Sequence, residues 1–234
     1  LVKTLIVDST VACRPKRSEI LEIDIQDDDV IVGFASFGQA TYETSYNAGT
    51  GSNGLTSGRH DLLAHNYHQK YPESYDLNTD EEYIYSGKFN LTDKLEGTPL
   101  DIGKALLSPT RTYAPILNKI VENNELKNAI HGIIHCTGGA QTKVMKFLDK
   151  PLHIIKDNLI DMPPLFKTIH ETTGTPLKEM YEVFNMGHRL EIYCDKKIAQ
   201  ELITISNSFN IEAKIIGRCE PHPTKKLTIA GIEY

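Results

Sequence analysis

The chain has 234 residues, 40% of them hydrophobic and 24% charged, enough to bury a core without relying on disulfides or metals. Its net charge is −6, with lysine and arginine scattered rather than gathered into a stripe; this disfavours DNA or RNA as a partner but leaves open a small phosphorylated ligand, which backbone amides can hold without a basic surface. The four cysteines, Cys13, Cys136, Cys194 and Cys219, include no C-x-x-C pair, so they suggest neither a zinc knuckle nor a disulfide framework but reduced thiols in a cytoplasmic protein.

Leu1 to Val11 alternates apolar and polar residues around β-branched types and reads as a strand, which Arg14-Pro15-Lys16-Arg17 breaks. Because the chain begins inside that run, the natural polypeptide is expected to continue upstream. Asp27-Asp28-Asp29 is an acidic turn before Val30 to Phe37, a continuous apolar run suited to a strand buried on both faces and too short to cross a bilayer. A domain boundary is placed near Asp28, leaving residues 1–27 as a leftover strand and residues 28–234 as the principal domain. Gly38 to Gly58, rich in Gly, Ser, Thr and Asn, reads as a long loop.

A helix is expected over Gly58 to Tyr71, ended by Pro72, and a hairpin strand over Tyr83 to Leu91. Ile116, Leu117, Ile120 and Val121 give Thr112 to Asn123 one apolar helical face. After it come a strand at Ala129 to Ile134, a glycine turn, a helix through Leu148, a strand at Leu152 to Lys156, a helix started by Pro163-Pro164, and a short helix at Lys178 to Val183. A strand at Arg189 to Tyr193, a helix at Lys196 to Ser206, and strands near Lys214 to Arg218 and Leu227 to Ile232 complete the chain. This alternation implies a layered sheet.

Three stretches carry chemistry. His135-Cys136-Thr137-Gly138-Gly139-Ala140 reads as strand, glycine turn and helix start, a geometry in which successive N–H groups converge on an anion. Gly49-Thr50-Gly51-Ser52-Asn53-Gly54 is a second glycine loop before a helix, and Phe184-Asn185-Met186-Gly187 a helix stop whose asparagine can bond a neighbouring loop or a ligand. Each also has a plain reading as a turn. The spacing after Gly138 is not that of a P-loop, and no G-x-S-x-G elbow occurs. His60, His65 and His68 would point to more than one face of a helix, with no carboxylate pair at ligand spacing, so no metal site is expected. His135, beside the turn, reads equally as a structural histidine or as a catalytic or ligand-binding one.

In order, these residues resemble the C-terminal half of aminoimidazole ribonucleotide synthetase, or phosphoribosylformylglycinamidine cyclo-ligase. Gly33 to Gly38 resembles the family's strand into a Ser-Gly turn, Ser52-Asn53-Gly54 its S-N-G, and Leu107 to Tyr113 its L-x-P-T-R-x-Y. His135 to Gly139 resembles its H-x-T-G-G, Met180-Tyr181 with Phe184 to Gly187 its M-Y-x-x-F-N-M-G, and Ile216-Gly217 the I-G near its end. The resemblance implies an α+β fold, a layered α/β/α domain with a mixed β-sheet flanked by helices. Residues 1–27 would be the last strand of an ATP-binding, dimerising N-terminal domain. It implies a ligase of purine biosynthesis, a homodimer when complete and inactive as this piece alone. In the implied reaction ATP phosphorylates the formyl-amide oxygen of formylglycinamidine ribonucleotide, the amidine nitrogen attacks that carbon, and the imidazole ring closes with loss of phosphate. Mg2+ would be held by the missing half. His135 would be catalytic, with Ser52, Asn53, Gly54, Thr137, Gly138, Gly139 and Asn185 binding phosphate or substrate.

Two residues depart from the pattern. Gly51 stands where the family often has histidine, and Ala140 replaces the third glycine of T-G-G-G, so Ala140 is expected at φ < 0. Insertions at 39–50 and 83–91 are longer than the family pattern. Formylglycinamidine ribonucleotide synthetase, selenophosphate synthetase and thiamine-monophosphate kinase resemble the same architecture and remain alternatives, as does a non-catalytic nucleotide-binding module.

Overall fold

The apolar run after the acidic turn becomes β1, Val30–Ala35, with every residue buried. In the computed structural model, which describes residues 10–234, β1 is an inner strand of a sheet. The other strands are β2 (Ile130–His135), β3 (Leu152–Lys156), β4 (His188–Cys194), β5 (Ala213–Pro221), β6 (Lys226–Ile229) and β7 (Ile232–Glu233). Among the described residues their order is β2-β4-β1-β5-β3-β6-β7. β1 runs antiparallel to both neighbours, with Val32 opposite Ile192 and Ile215. β3 and β6 are parallel, with Ile154 opposite Leu227, so the sheet is mixed and the fold α+β. β4, like β1, is buried at every residue, which requires cover on both faces.

The helices are α1 (Leu55–Leu62), α2 (Asn66–Lys70), α3 (Ile102–Leu106), α4 (Ala114–Val121), α5 (Asn124–Asn128), α6 (Pro164–Thr173), α7 (Leu177–Val183) and α8 (Ala199–Ser208). α8 packs on β1 and β5 and beside α4, while α1, α3 and α6 pack together as a second group. In α4 the three- and four-residue spacing buries Ile116 and Ile120. In α6 Pro164 fits the first turn, where no N–H partner is needed, and Gly174 at φ 68 ends the helix. No helix among the described residues is long and apolar enough to cross a membrane.

Three expectations change. The helix foreseen over Gly58 to Tyr71 is two helices, because Leu63 and Ala64 leave the helix to bridge Phe89 and Gly87. Only glycine permits that approach: a β-carbon on Gly87 would lie 2.2 Å from the Leu62 carbonyl carbon. The hairpin strand at Tyr83 to Leu91 does not form; Glu81–Tyr83 is a 3-10 turn, the adjacent Ile84 and Tyr85 are both buried, Tyr85 against His60 of α1 and Tyr67 of α2, and Gly87 and Phe89 make isolated bridges to Ala64 and Leu63. The helix after the glycine turn is a 3-10 helix, Ala140–Lys146, with the Gln141 carbonyl taken by the Lys156 ammonium at 2.7 Å. The strand foreseen at Leu1 to Val11 falls almost wholly outside the described residues; Thr10 and Val11 are in no strand. Ile23 to Gln26, ahead of the expected division near Asp28, packs on β2: Asp24 N–H donates to the His131 carbonyl at 2.7 Å and Ile25 is buried.

Candidate functional site: a paired glycine-turn cleft

β2 delivers His135 at its end, and the Cys136 N–H extends the ladder by one bond to the Arg189 carbonyl, 2.6 Å. The chain then reverses: Thr137 N–H donates to the His135 carbonyl and Ala140 N–H to the Thr137 carbonyl. Gly139 sits at φ 91. Ala140 follows at φ 40, overturning the expectation of negative φ. Its left-handed backbone costs about 1–2 kcal/mol and persists because the next residue is pinned on three sides. The Gln141 side-chain amide donates to the carbonyls of Asn185 and His188, and its own carbonyl accepts from Lys156. Between these bonds, the N–H groups of Gly138 and Gly139 have no acceptor among the described residues.

The second loop lies against this turn: a β-carbon on Gly138 would stand 3.5 Å from the Asn53 amide nitrogen. Gly49, Gly51 and Gly54 all have positive φ. Ser52 is exposed, its N–H bonded to Thr110 Oγ1, and Gly54 caps α1. A depression of about 210 Å³ beside them is lined in part by Gly51, Ser52, Leu55 and Thr110. Asn185 lies behind the cleft. Its Oδ1 accepts from Ser36 Oγ (2.6 Å) and Gly187 N–H, and its Nδ2 donates to the Gly49 carbonyl (2.8 Å), so it ties β1's end, the loop and the F-N-M-G turn together. Its side chain is thereby committed to protein groups.

Three cations that the sequence reading passed over lie near the two loops, two lysines beside the turn and an arginine against the Gly49–Gly51 stretch. Lys143 Nζ donates to Thr137 Oγ1 at 3.2 Å, and Lys146 Nζ would lie 3.8 Å from a β-carbon on Gly139. Arg189 is buried; its NH2 donates to the Thr50 carbonyl at 2.5 Å and its NH1 has no partner among the described residues. Their signals were present. Lysines three apart share one side of a 3-10 helix, and an arginine inside an otherwise buried strand calls for a reason. His135 keeps an exposed ring, edge-on to Tyr113 at 6.3 Å. Partial burial, then the charges of Arg189 and Lys143, hold its pKa below the ordinary 6.5, so it is neutral at pH 7.

Behind the turn a polar network is closed off from water. Lys156 Nζ lies 2.5 Å from Glu191 Oε1, His188 Nε2 is 3.0 Å from the same oxygen, and Tyr193 OH donates to Glu191 Oε2 at 2.8 Å. Burial alone would raise the Glu191 pKa; Lys156 and the bonds from His188 and Lys156 bring it down to about 2. Cys136, Cys194 and Cys219 are buried, and burial pushes the Cys194 thiol up to about 12, which suits packing rather than nucleophilic work. Arg111 of the L-x-P-T-R-x-Y segment is also structural. It donates to the carbonyls of Ala35, Phe37 and Gly38 and grips Glu43 with two bonds, while Tyr113 OH donates to the Ala35 carbonyl.

The chain is similar to known proteins over most of its length. It is 29% identical over 219 residues to the phosphoribosylformylglycinamidine cyclo-ligase of Methanocaldococcus jannaschii, covering 93% of this chain and 52% of that protein. To the same-named protein of Methanococcus vannielii it is 31% identical over 222 residues, covering 94% and 52%. The chain thus spans about half the length of these curated relatives. Among solved structures, tt0281 from Thermus thermophilus matches over 92% of this chain and 53% of that one, with 11% identity and a TM-score of 0.49. Residues 87–230 match the family described as AIR synthase related protein, C-terminal domain, and the chain belongs to that family.

Proposed function

We propose that this chain supplies the C-terminal domain of a cyclo-ligase that closes the imidazole ring of aminoimidazole ribonucleotide from formylglycinamidine ribonucleotide at the expense of ATP. The observation that supports it best is the meeting of the two glycine loops, with Asn53 against Gly138, two amides on the turn that have no acceptor among the described residues, Lys143 and Lys146 beside them and Arg189 against the second loop. In a chain of net charge −6 this is a local concentration of donors and positive charge, the environment that a ribose phosphate or a transferring phosphoryl group requires. In this reading Ser52, Asn53, Gly54, Thr137, Gly138 and Gly139 line the phosphate-binding surface, and Asn185 positions the loops from behind.

Positioning and charge stabilisation are most of what phosphoryl transfer asks of a protein, and backbone amides supply both without reorganising. Once the formyl-amide oxygen carries the phosphoryl group, ring closure needs the amidine nitrogen to lose a proton. His135, neutral and accessible at the edge of the turn, is the group proposed to accept it. The donors around the turn are ammonium, guanidinium, hydroxyl and amide groups, which suit phosphate and not Mg2+. Any Mg2+ that accompanies ATP is therefore assigned to the part of the relatives that this chain does not span. Residues 1–22 are assigned to the end of that part, and the complete protein to a cytoplasmic homodimer.

The test is turnover by the protein encoded by the complete gene, supplied with ATP and formylglycinamidine ribonucleotide. Ring closure with release of ADP and phosphate is expected, and His135→Asn should lower kcat by about 10²-fold or more. Absence of ring closure in the unaltered protein overturns the assignment.

A further inference from the structure

His65, the N-cap of α2, and His68, one turn on, lie on the same side of that short helix. His65 and His68 stack with ring centroids 4.2 Å apart, and the 3-10 turn at Glu81–Tyr83 brings Glu81 back to them. His65 Nε2 lies 3.7 Å and His68 Nε2 3.4 Å from Glu81 Oε1, and the three ligand atoms fall within 4.8 Å of one another. His60 takes no part; its Nδ1 accepts the Tyr85 N–H at 3.1 Å.

We propose that His65, His68 and Glu81 form a binding site for one divalent cation of the zinc class. The hydrogen bonds behind the two rings carry the argument. His65 Nδ1 is 3.0 Å from the Ile84 carbonyl and His68 Nδ1 is 2.7 Å from the His65 carbonyl. A carbonyl can only accept, so each Nδ1 carries a proton, which leaves Nε2 of each ring, the atom that faces Glu81, as the position for a ligand bond. Two Nε2 atoms and a carboxylate oxygen then converge on one point, an arrangement that a divalent cation between them would satisfy. This is how metal-ligating histidines are held, by a backbone acceptor on the far nitrogen. Ligand atoms about 2.0–2.1 Å from a tetrahedral ion stand roughly 3.3 Å apart, close to the two distances found. An N2O donor set suits zinc and its neighbours rather than Mg2+ or Ca2+, which take oxygen. A bound ion would join α2 to the 3-10 turn and close the polar excursion 71–80 into a loop. Any cation of the cyclo-ligase reaction is assigned to another part of the protein, so the two readings stand or fall separately.

Titration of the chain with Zn2+ alone, and with Co2+ alone to read coordination from its visible absorption, tests the site. One equivalent is expected to bind, with a Co2+ spectrum of low coordination number and no competition from excess Mg2+. His68→Ala and Glu81→Gln should each weaken binding about tenfold or more, and His60→Ala should leave it unchanged. Glu81 is three-quarters exposed, so its replacement does not threaten the fold. Absence of binding overturns the proposal, and so does binding of the same strength in a His65→Ala, His68→Ala double variant that keeps the circular dichroism of the unaltered chain.

Discussion

At Gly51 two groups compete for one space. A β-carbon there would lie 2.4 Å from the Arg189 NH2 atom, so the glycine that replaces the family's frequent histidine is the residue that lets Arg189 reach the carbonyls of Gly49 and Thr50. The two residues are one device, and a sequence read position by position cannot couple sites so far apart. Gly139 has a different constraint. Nothing crowds its missing β-carbon, whose nearest neighbours would lie 3.8 Å away, but its φ of 91 strains a β-branched side chain. Gly139→Val is therefore expected to leave the fold largely in place, at a strain of about 1–2 kcal/mol in urea unfolding. It should weaken ribose 5-phosphate binding by calorimetry about tenfold or more; an unchanged titration would remove the turn from the binding surface. The turn itself was legible because strand, two glycines and helix start are contiguous. Its left-handed Ala140 was not, because the bonds that hold it come from Lys156, Asn185 and His188.

The elements best foreseen are those whose burial follows a local period. β2 and β3 alternate, α4 repeats at three and four, and β1 is a solid apolar run; all three patterns survive folding. What misled was the segment from Gly58 to Leu91, where apolar residues serve a non-repeating purpose: Leu63 and Ala64 leave the helix to meet Phe89 and Gly87, and Ile84 and Tyr85 fill the space beneath. That meeting depends on a contact between distant stretches, and no local pattern encodes it. Arg111 works on the same scale, as a clamp that joins the end of β1 to the loop beyond it through three carbonyls and Glu43. Arg111→Ala strands those groups and is expected to cost about 3–5 kcal/mol by urea denaturation. Arg111→Lys should recover only a small part of the loss, since one ammonium cannot reproduce a fork of donors. Full recovery by lysine would contradict the clamp.

Across the whole molecule the sheet encloses ionisable groups that tie stability to acidity. His188 is kept neutral by burial, below the ordinary 6.5, so as pH falls through 6.5 the unfolded chain gains a proton that the folded chain refuses and stability drops. Glu191, held at about 2 against an ordinary 4.5, contributes fully above 4.5 and loses that contribution as pH falls from 4.5 toward 2. The urea midpoint is expected to decline from pH 7 downward and more steeply below 4.5; a midpoint constant from pH 7 to 3 would contradict the network. A further consequence lies at the margin of the sheet. β2 is its outermost strand on one side, and what occupies the flank is Asp24, bonded to His131 and paired with Lys150. An uncovered strand invites self-assembly. Removing residues 1–26 should therefore turn a dispersed protein into one whose light scattering climbs with concentration, and charged Asp24 marks where that guard begins.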